Sequence, residues 1–226
     1  MQAVGQGSKE NRDWIGAGAG FLFVVLTLVG VGIGGSHPLS TGPIEPIKSS
    51  FLSSPGPFAV QAGGYIESVA ALLLVVFGAS LAWRLWLGAQ QLLALVAFGS
   101  VILAAGITLL ENSLLSVLAF SVAADGDVGA IKALYALRHI LLAYNYFPLA
   151  LLAFALAIGT LAAGTFPRWF GWLTAVMGLV FLSGGADVAR SGFFMSQGDH
   201  WFYVLNLFAL WVLLTSGLLL RRTRTA

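Results

Sequence analysis

The chain has 226 residues, of which 58% are hydrophobic and 9% charged, with a net charge of +2. Soluble domains carry about 25% charged residues, so this balance excludes a soluble domain as the main body of the protein. The Lys and Arg residues lie at the ends of apolar runs and in the N-terminal tail rather than on one stripe, which excludes a nucleic-acid-binding surface. With no cysteine, there are no disulfides, no thiolate metal site and no thiol chemistry.

In chain order, residues 1–13 form a short polar tail, and six apolar stretches follow at about 14–34, 66–87, 92–110, 141–164, 169–186 and 201–220. Each is close to the ~20 residues that a helix needs to cross ~30 Å of hydrocarbon. Glu67 is the one charge that intrudes on them. The expected fold is therefore all-α: a polytopic protein of the cell membrane, with a six-helix transmembrane domain over 14–221 and a short tail at 222–226. The first run is longer than the 7–15 apolar residues of a signal peptide, so a retained helix is expected. Its Gly16–Gly20 repeat lacks the strand before it and the Lys after it that a phosphate loop requires. Gly16/Gly20, Gly30/Gly34 and Ala153/Ala157 have the four-residue spacing that lets helices approach closely in lipid.

The loop at 35–64 holds Pro38, Pro43, Pro46, Pro55 and Pro57, and residues 44–52 within it suit a segment lying along the interface. The connections at 88–91 and 165–168 are short and force antiparallel neighbours, with Pro167 preventing helix continuation. Residues 112–124 are apolar but too few to span. They read as an extension of the third helix or an interfacial piece, closed by the turn Asp125-Gly126-Asp127. Residues 129–140 then begin a long fourth helix. Within it Pro148 cannot donate to the Tyr144 carbonyl, so a break is expected among Tyr144, Asn145 and Tyr146. Arg138 and Asn145, seven apart, share a face. That kink lines a cavity or is packed against a neighbour.

Basic residues set the orientation. With six spans and cytoplasmic termini, Lys9, Arg12, Arg84, Arg168, Arg221, Arg222 and Arg224 lie inside, and Lys48, Lys132, Arg138 and Arg190 lie outside. Trp14, Trp83, Trp86, Trp169, Trp172 and Trp201 fall near span ends, as an aromatic belt requires.

The ionisable groups at membrane depth share one outer layer: Glu67, Glu111, Arg138 with His139, Asp187 with Arg190, and Asp199 with His200. A charge near the bilayer centre costs ~2.5–3.5 kcal/mol and less near the interface, so Glu67, which a long apolar run follows, is the least easily dismissed. The candidate ligand pocket is Glu67, Glu111, Arg138, His139, Tyr144, Asn145, Asp187, Arg190 and His200. The plain alternatives are an interfacial Glu67 reaching water or paired with Arg138, solvated helix ends at Glu111 and His200, and an Asp187–Arg190 pair on one helix face. His139, His200, Glu67, Glu111 and Asp187 are of the right types for zinc, but no local spacing supports a site, and no metal is expected. His139 and His200 share the depth that a bis-His haem would need, but that reading is weaker still, no lysine lies deep in a span for a retinal Schiff base, and no cofactor is expected. Ser183, Ser191 and Ser196 lie near Asp187 and His200 in sequence, but no elbow or nucleotide motif supports a triad.

The fifth stretch opens Phe166-Pro167-Arg168-Trp169-Phe170-Gly171-Trp172. This Pro-Arg-Trp-x-Gly-Trp start resembles that of a large group of uncharacterised six-helix bacterial integral membrane proteins. The resemblance implies a six-helix fold but no activity, and no residue role transfers with it. The functional expectation is a non-enzymatic membrane component: an accessory subunit, or a lipid- or small-ligand-binding protein. Its partners would be the bilayer and other membrane subunits or further copies of the chain. The alternative is an intramembrane enzyme or small transporter built on the layer of Glu67, Arg138, His139, Asn145 and Asp187.

Overall fold

Pro, Gly and Asp residues divide the chain into helices, several of which exceed the apolar runs in length. The computed structural model describes residues 3–35, 38–39, 41–53, 56–189, 192–195 and 198–223, with the backbone alone for 3–12, 222 and 223. Its elements are α1 (Ala3–Gly34), α2 (Ile44–Leu52), α3 (Pro57–Leu87), α4 (Gln91–Val117), a π-helical turn (Leu118–Val122), α5 (Ala123–Asp125), α6 (Val128–Tyr144), α7 (Tyr146–Ala163), α8 (Arg168–Gly184) and α9 (Asp199–Thr223). No β-strand occurs among the described residues.

The boundaries have local causes. Gly56, at φ 87°, turns the chain into Pro57, whose missing N–H is harmless at the start of α3. Gly126, at φ 78°, reverses the chain, and Asp127 caps α6 by accepting from the Ala130 N–H at 3.1 Å. α6 stops at Tyr144 and α7 starts at Tyr146, with Asn145 between them and Pro148 in the first turn of α7. This is the break expected from Pro148. Gly164, at φ 64°, ends α7.

Five stretches are long and apolar enough to cross a membrane: Asp13–Gly34, Pro57–Leu87, Gln91–Asp125, Val128–Ala163 and Asp199–Arg221. The expected fifth span, 169–186, corresponds to α8, whose 17 residues rise about 26 Å at 1.5 Å per residue, just under the ~30 Å of hydrocarbon. The second, third and fourth stretches run longer than their uncharged cores. Residues 112–124 continue α4 through the π turn to Asp125, and residues 128–140 lead into the fourth stretch as α6.

Asp13, Arg84, Gly88 and Thr165 mark one end of the packed helices, called here the Arg84 end. The opposite, Arg138 end carries Glu67, Glu111 and Asp187. α1 packs along α3, α3 along α4, α7 along α8, and α9 returns beside α1. Small residues permit these approaches. A Cβ on Gly63 would lie 2.7 Å from the Gly30 carbonyl and 2.8 Å from the Gly34 Cα, so α1 and α3 touch backbone to backbone. Gly20 lies against Ser216 and Gly16 near Leu219, so the start of α1 sits beside the end of α9. α8 lies between Phe166, whose ring lies under Arg84, and the Asp187–His200 contact at the other end.

The buried side chains form two cores. The larger holds Phe77, Leu81, Leu85, Leu152, Leu156, Phe181, Phe208 and Trp211 between the long helices. The smaller caps the Arg138 end, where Ile47 and Phe51 of α2 meet Val60, Leu115, Leu118, Ala123, Ile131 and Tyr135. Residues 44–52 therefore bury one face against this cap. The outward-facing side chains are also apolar, among them Phe21, Leu28, Leu72, Leu95, Leu103, Leu151, Ile158, Val176, Leu179 and Leu210. Water-soluble monomers rarely expose such a continuous apolar surface.

Candidate ligand cavity

Glu111 leaves α4 toward α6 and meets Arg138, with Oε1 and Nη2 3.1 Å apart and both side chains buried. The two helices are antiparallel across the Gly126 turn, which places positions 111 and 138 at the same height. Arg138 therefore pairs with Glu111 and not with Glu67, because Glu111 is on the helix that α6 packs against. Glu67 instead leans on α1, where the absent side chain of Gly30 leaves room: a Cβ there would lie 2.6 Å from Glu67 Cγ. No hydrogen bond or ion pair within 4 Å holds the Glu67 carboxylate among the described residues.

These groups face a partly open cavity of about 360 Å³ between α1, α3, α4, α6, α7 and α9. Glu67, Glu111, Arg138 and Asn145 line one part of it, and Phe23, Ala71, Leu74, Leu149 and Phe208 line the rest. Asn145 Nδ2 donates to Thr108 Oγ1 at 2.9 Å, which orients the amide and turns Asn145 Oδ1 away from any protein donor. Arg138 Nε and the indole N–H of Trp201 are likewise buried without a protein partner among the described residues. Buried polar atoms in folded proteins are nearly always satisfied, so several such atoms around one space indicate that something else satisfies them.

The structure thus brings four of the nine predicted residues to one cavity. His139 is buried on another face of α6, its ring edge-on to Tyr135 with centroids 4.5 Å apart. Tyr144 is exposed and packs beside Phe147. Arg190 lies outside the described residues, as do Ser191 and Ser196, so the expected Asp187–Arg190 pair falls outside them too. Thr108, Tyr146 and Trp201 line the cavity and were not expected there. The Arg138–Asn145 spacing of seven carried a signal for the face; Trp201 read as a belt residue and gave none.

Asp187 and His200 form a second cluster. His200 Nδ1 lies 2.7 Å from Asp187 Oδ1, and His200 Nε2 lies 3.2 Å from Ser183 Oγ. Burial pushes the Asp187 carboxyl above the ordinary carboxylate range, and the bond from His200 works against that shift. The order Ser–His–Asp is that of a hydrolase, but the surroundings are not. Ser183 already donates its hydroxyl proton to the Val180 carbonyl at 2.7 Å. It sits in the last turn of α8, where the helix dipole opposes a developing oxyanion. The following N–H groups of Ala186, Asp187 and Val188 are bonded to Ser183, Gly184 and Ala186 carbonyls, so no pair of N–H groups is aimed at a reacting carbonyl. The Ser183–His200–Asp187 contacts fasten α8 to α9. Phe193 and Phe194 flank the imidazole. Among the described residues, no three His, Asp or Glu side chains gather as a metal site.

No known protein family, curated protein or solved structure matches this chain. The likeness to six-helix bacterial membrane proteins rests on the residues around Arg168 alone, and the argument for function rests on the cavity.

Proposed function

We propose that this chain is a multi-pass cell-membrane protein with six spans and cytoplasmic termini that holds an amphiphilic small molecule or lipid between its helices without transforming it. The observation that carries this reading is the cavity with polar groups at one end and apolar walls beyond them. That is the usual form of a small-molecule site, in which a few placed polar groups orient a mostly apolar ligand. Glu67 lies twenty residues before the end of α3 and Glu111 twenty residues after the start of α4. At 1.5 Å per residue both are about 30 Å from the Arg84 end, which is headgroup depth in the far leaflet.

The orientation and the sixth span have their own support. The approach of α1 to α9 at Gly16 and Gly20 is consistent with an even number of crossings, and α8, between Phe166 and Asp187, is the candidate for the sixth. The basic residues favour the cytoplasm for the Arg84 end. A reporter fused after Ala226 should be active only in the cytoplasm, and activity outside would overturn the orientation.

Solvent extraction of gently purified protein, followed by mass spectrometry, should recover about one amphiphile per chain. Ala71→Trp, which fills the cavity wall, should lower that occupancy at least tenfold with helicity retained. Equal recovery from wild-type and variant would refute the cavity as the site.

A further inference from the structure

We infer that the cavity selects amphiphiles whose head carries a protonated amine, with the ammonium group seated between Glu67 and Asn145. This rests on the reading of the cavity as a ligand site and adds the chemistry of the ligand.

The charges around the cavity do not balance. Glu67 and Glu111 face one guanidinium, Arg138, and that guanidinium is already engaged by Glu111 at 3.1 Å. The Glu67 carboxylate is left without a cation of its own among the described residues. An anionic head would add a second uncompensated negative charge, whereas an ammonium supplies the missing positive one. The hydrogen-bonding groups agree. Glu67 offers two acceptor oxygens with no protein donor among the described residues, and Asn145 Oδ1 is a buried acceptor whose own amide is held in place by Thr108. An ammonium has donors for both. Aromatic walls from Phe23, Tyr146, Trp201 and Phe208 suit a cation and the methylene chain behind it. The two buried donors left over, Arg138 Nε and Trp201 Nε1, can bond an oxygen next to the amine, as in an amino alcohol or an ethanolamine phosphate.

The test uses full-length protein in phosphatidylglycerol nanodiscs, titrated with dodecylamine, dodecanol and dodecanoate while tryptophan fluorescence is followed. Dodecylamine should bind at least tenfold tighter than dodecanol, with dodecanoate weakest, and Glu67→Gln should bring the amine and the alcohol within about threefold of each other. Equal binding of the three heads to wild-type protein overturns the ammonium assignment and leaves the cavity reading intact. No binding of any of them, with Ala71→Trp indistinguishable from wild type, overturns the cavity reading itself. If Glu67→Gln does not fold, the wild-type ranking of the three heads still decides. Repeating the titration in phosphatidylethanolamine nanodiscs separates two sources of the same head: lost dodecylamine binding assigns the site to a membrane lipid, and retained binding assigns it to a free amine.

Discussion

Arg84 and Arg138 are equally buried, each at 9% exposure, and each meets a carboxylate from another helix at opposite ends of the same structure. Around Arg84 the bonding is complete. Its Nε and Nη2 contact both Asp13 oxygens at 2.8 and 2.6 Å, and Phe166 lies 5.0 Å beneath the guanidinium. Around Arg138 it is incomplete: one contact at 3.1 Å, an Nε with no partner among the described residues, and a second carboxylate nearby. Burial is the same, so burial does not distinguish a fastening from a binding site. Satisfaction does. A bidentate, stacked pair is finished by the protein itself. A pair with leftover donors and acceptors around an open volume is finished by something else.

The largest expected effect is at Arg138. Arg138→Gln leaves Glu67 and Glu111 together without a cation and should cost about 3–5 kcal/mol in equilibrium unfolding from mixed micelles. Arg84→Gln releases an Asp13 that is partly exposed and should cost about 1.5–3 kcal/mol. Equal losses would erase the distinction between the two ends. Next in size is Gly63→Ala, which forces α1 away from α3 behind Glu67 and should cost about 1–3 kcal/mol by the same assay. A neutral result there would mean the helix contact is looser than it looks.

Double-mutant cycles sharpen the contrast within the Arg138 end. Glu111 and Arg138 should couple by more than about 1 kcal/mol, and Glu67 and Arg138 by less. Glu67→Gln alone should change stability by about 0–1 kcal/mol, since no bond within the protein is lost. A stronger coupling for Glu67 would make it a structural partner of Arg138 rather than a ligand group. The smallest expected effect is at Ser183. A fluorophosphonate should leave the protein unlabelled, and Ser183→Ala should cost about 0.5–1.5 kcal/mol in stability. Labelling at Ser183 would convert the α8–α9 fastening into a reactive centre.

The all-α fold and its long apolar helices were legible in the sequence because they follow from rules with a fixed period, although five stretches rather than the expected six are long and apolar enough to cross a membrane. Apolar runs near twenty residues, Pro148 four residues after Tyr144, and Gly126 between two aspartates each have one main physical consequence. Side-chain partners were not legible. Glu67 and Glu111 are equivalent as residues at a span edge, and only the antiparallel pairing of α4 with α6 gives Arg138 to Glu111. The twelve residues between Asp187 and His200 concealed their contact for the same reason: the intervening segment has no period to read. Trp201 shows a further limit, because a tryptophan near a span end is a belt residue or a cavity wall depending on which way its helix turns.

The cap at the Arg138 end has its own core, and two of its members, Val60 and Leu115, also form part of the cavity wall. Segments with separate cores exchange their amide protons as separate cooperative units. The cap can therefore melt locally while Phe77, Leu152 and Phe181 hold the long helices together. When it does, the cavity loses one wall and nothing else. Exchange of the amides in α2 and the first turns of α6 would then report the same event that lets a ligand in or out, and the two should share one rate.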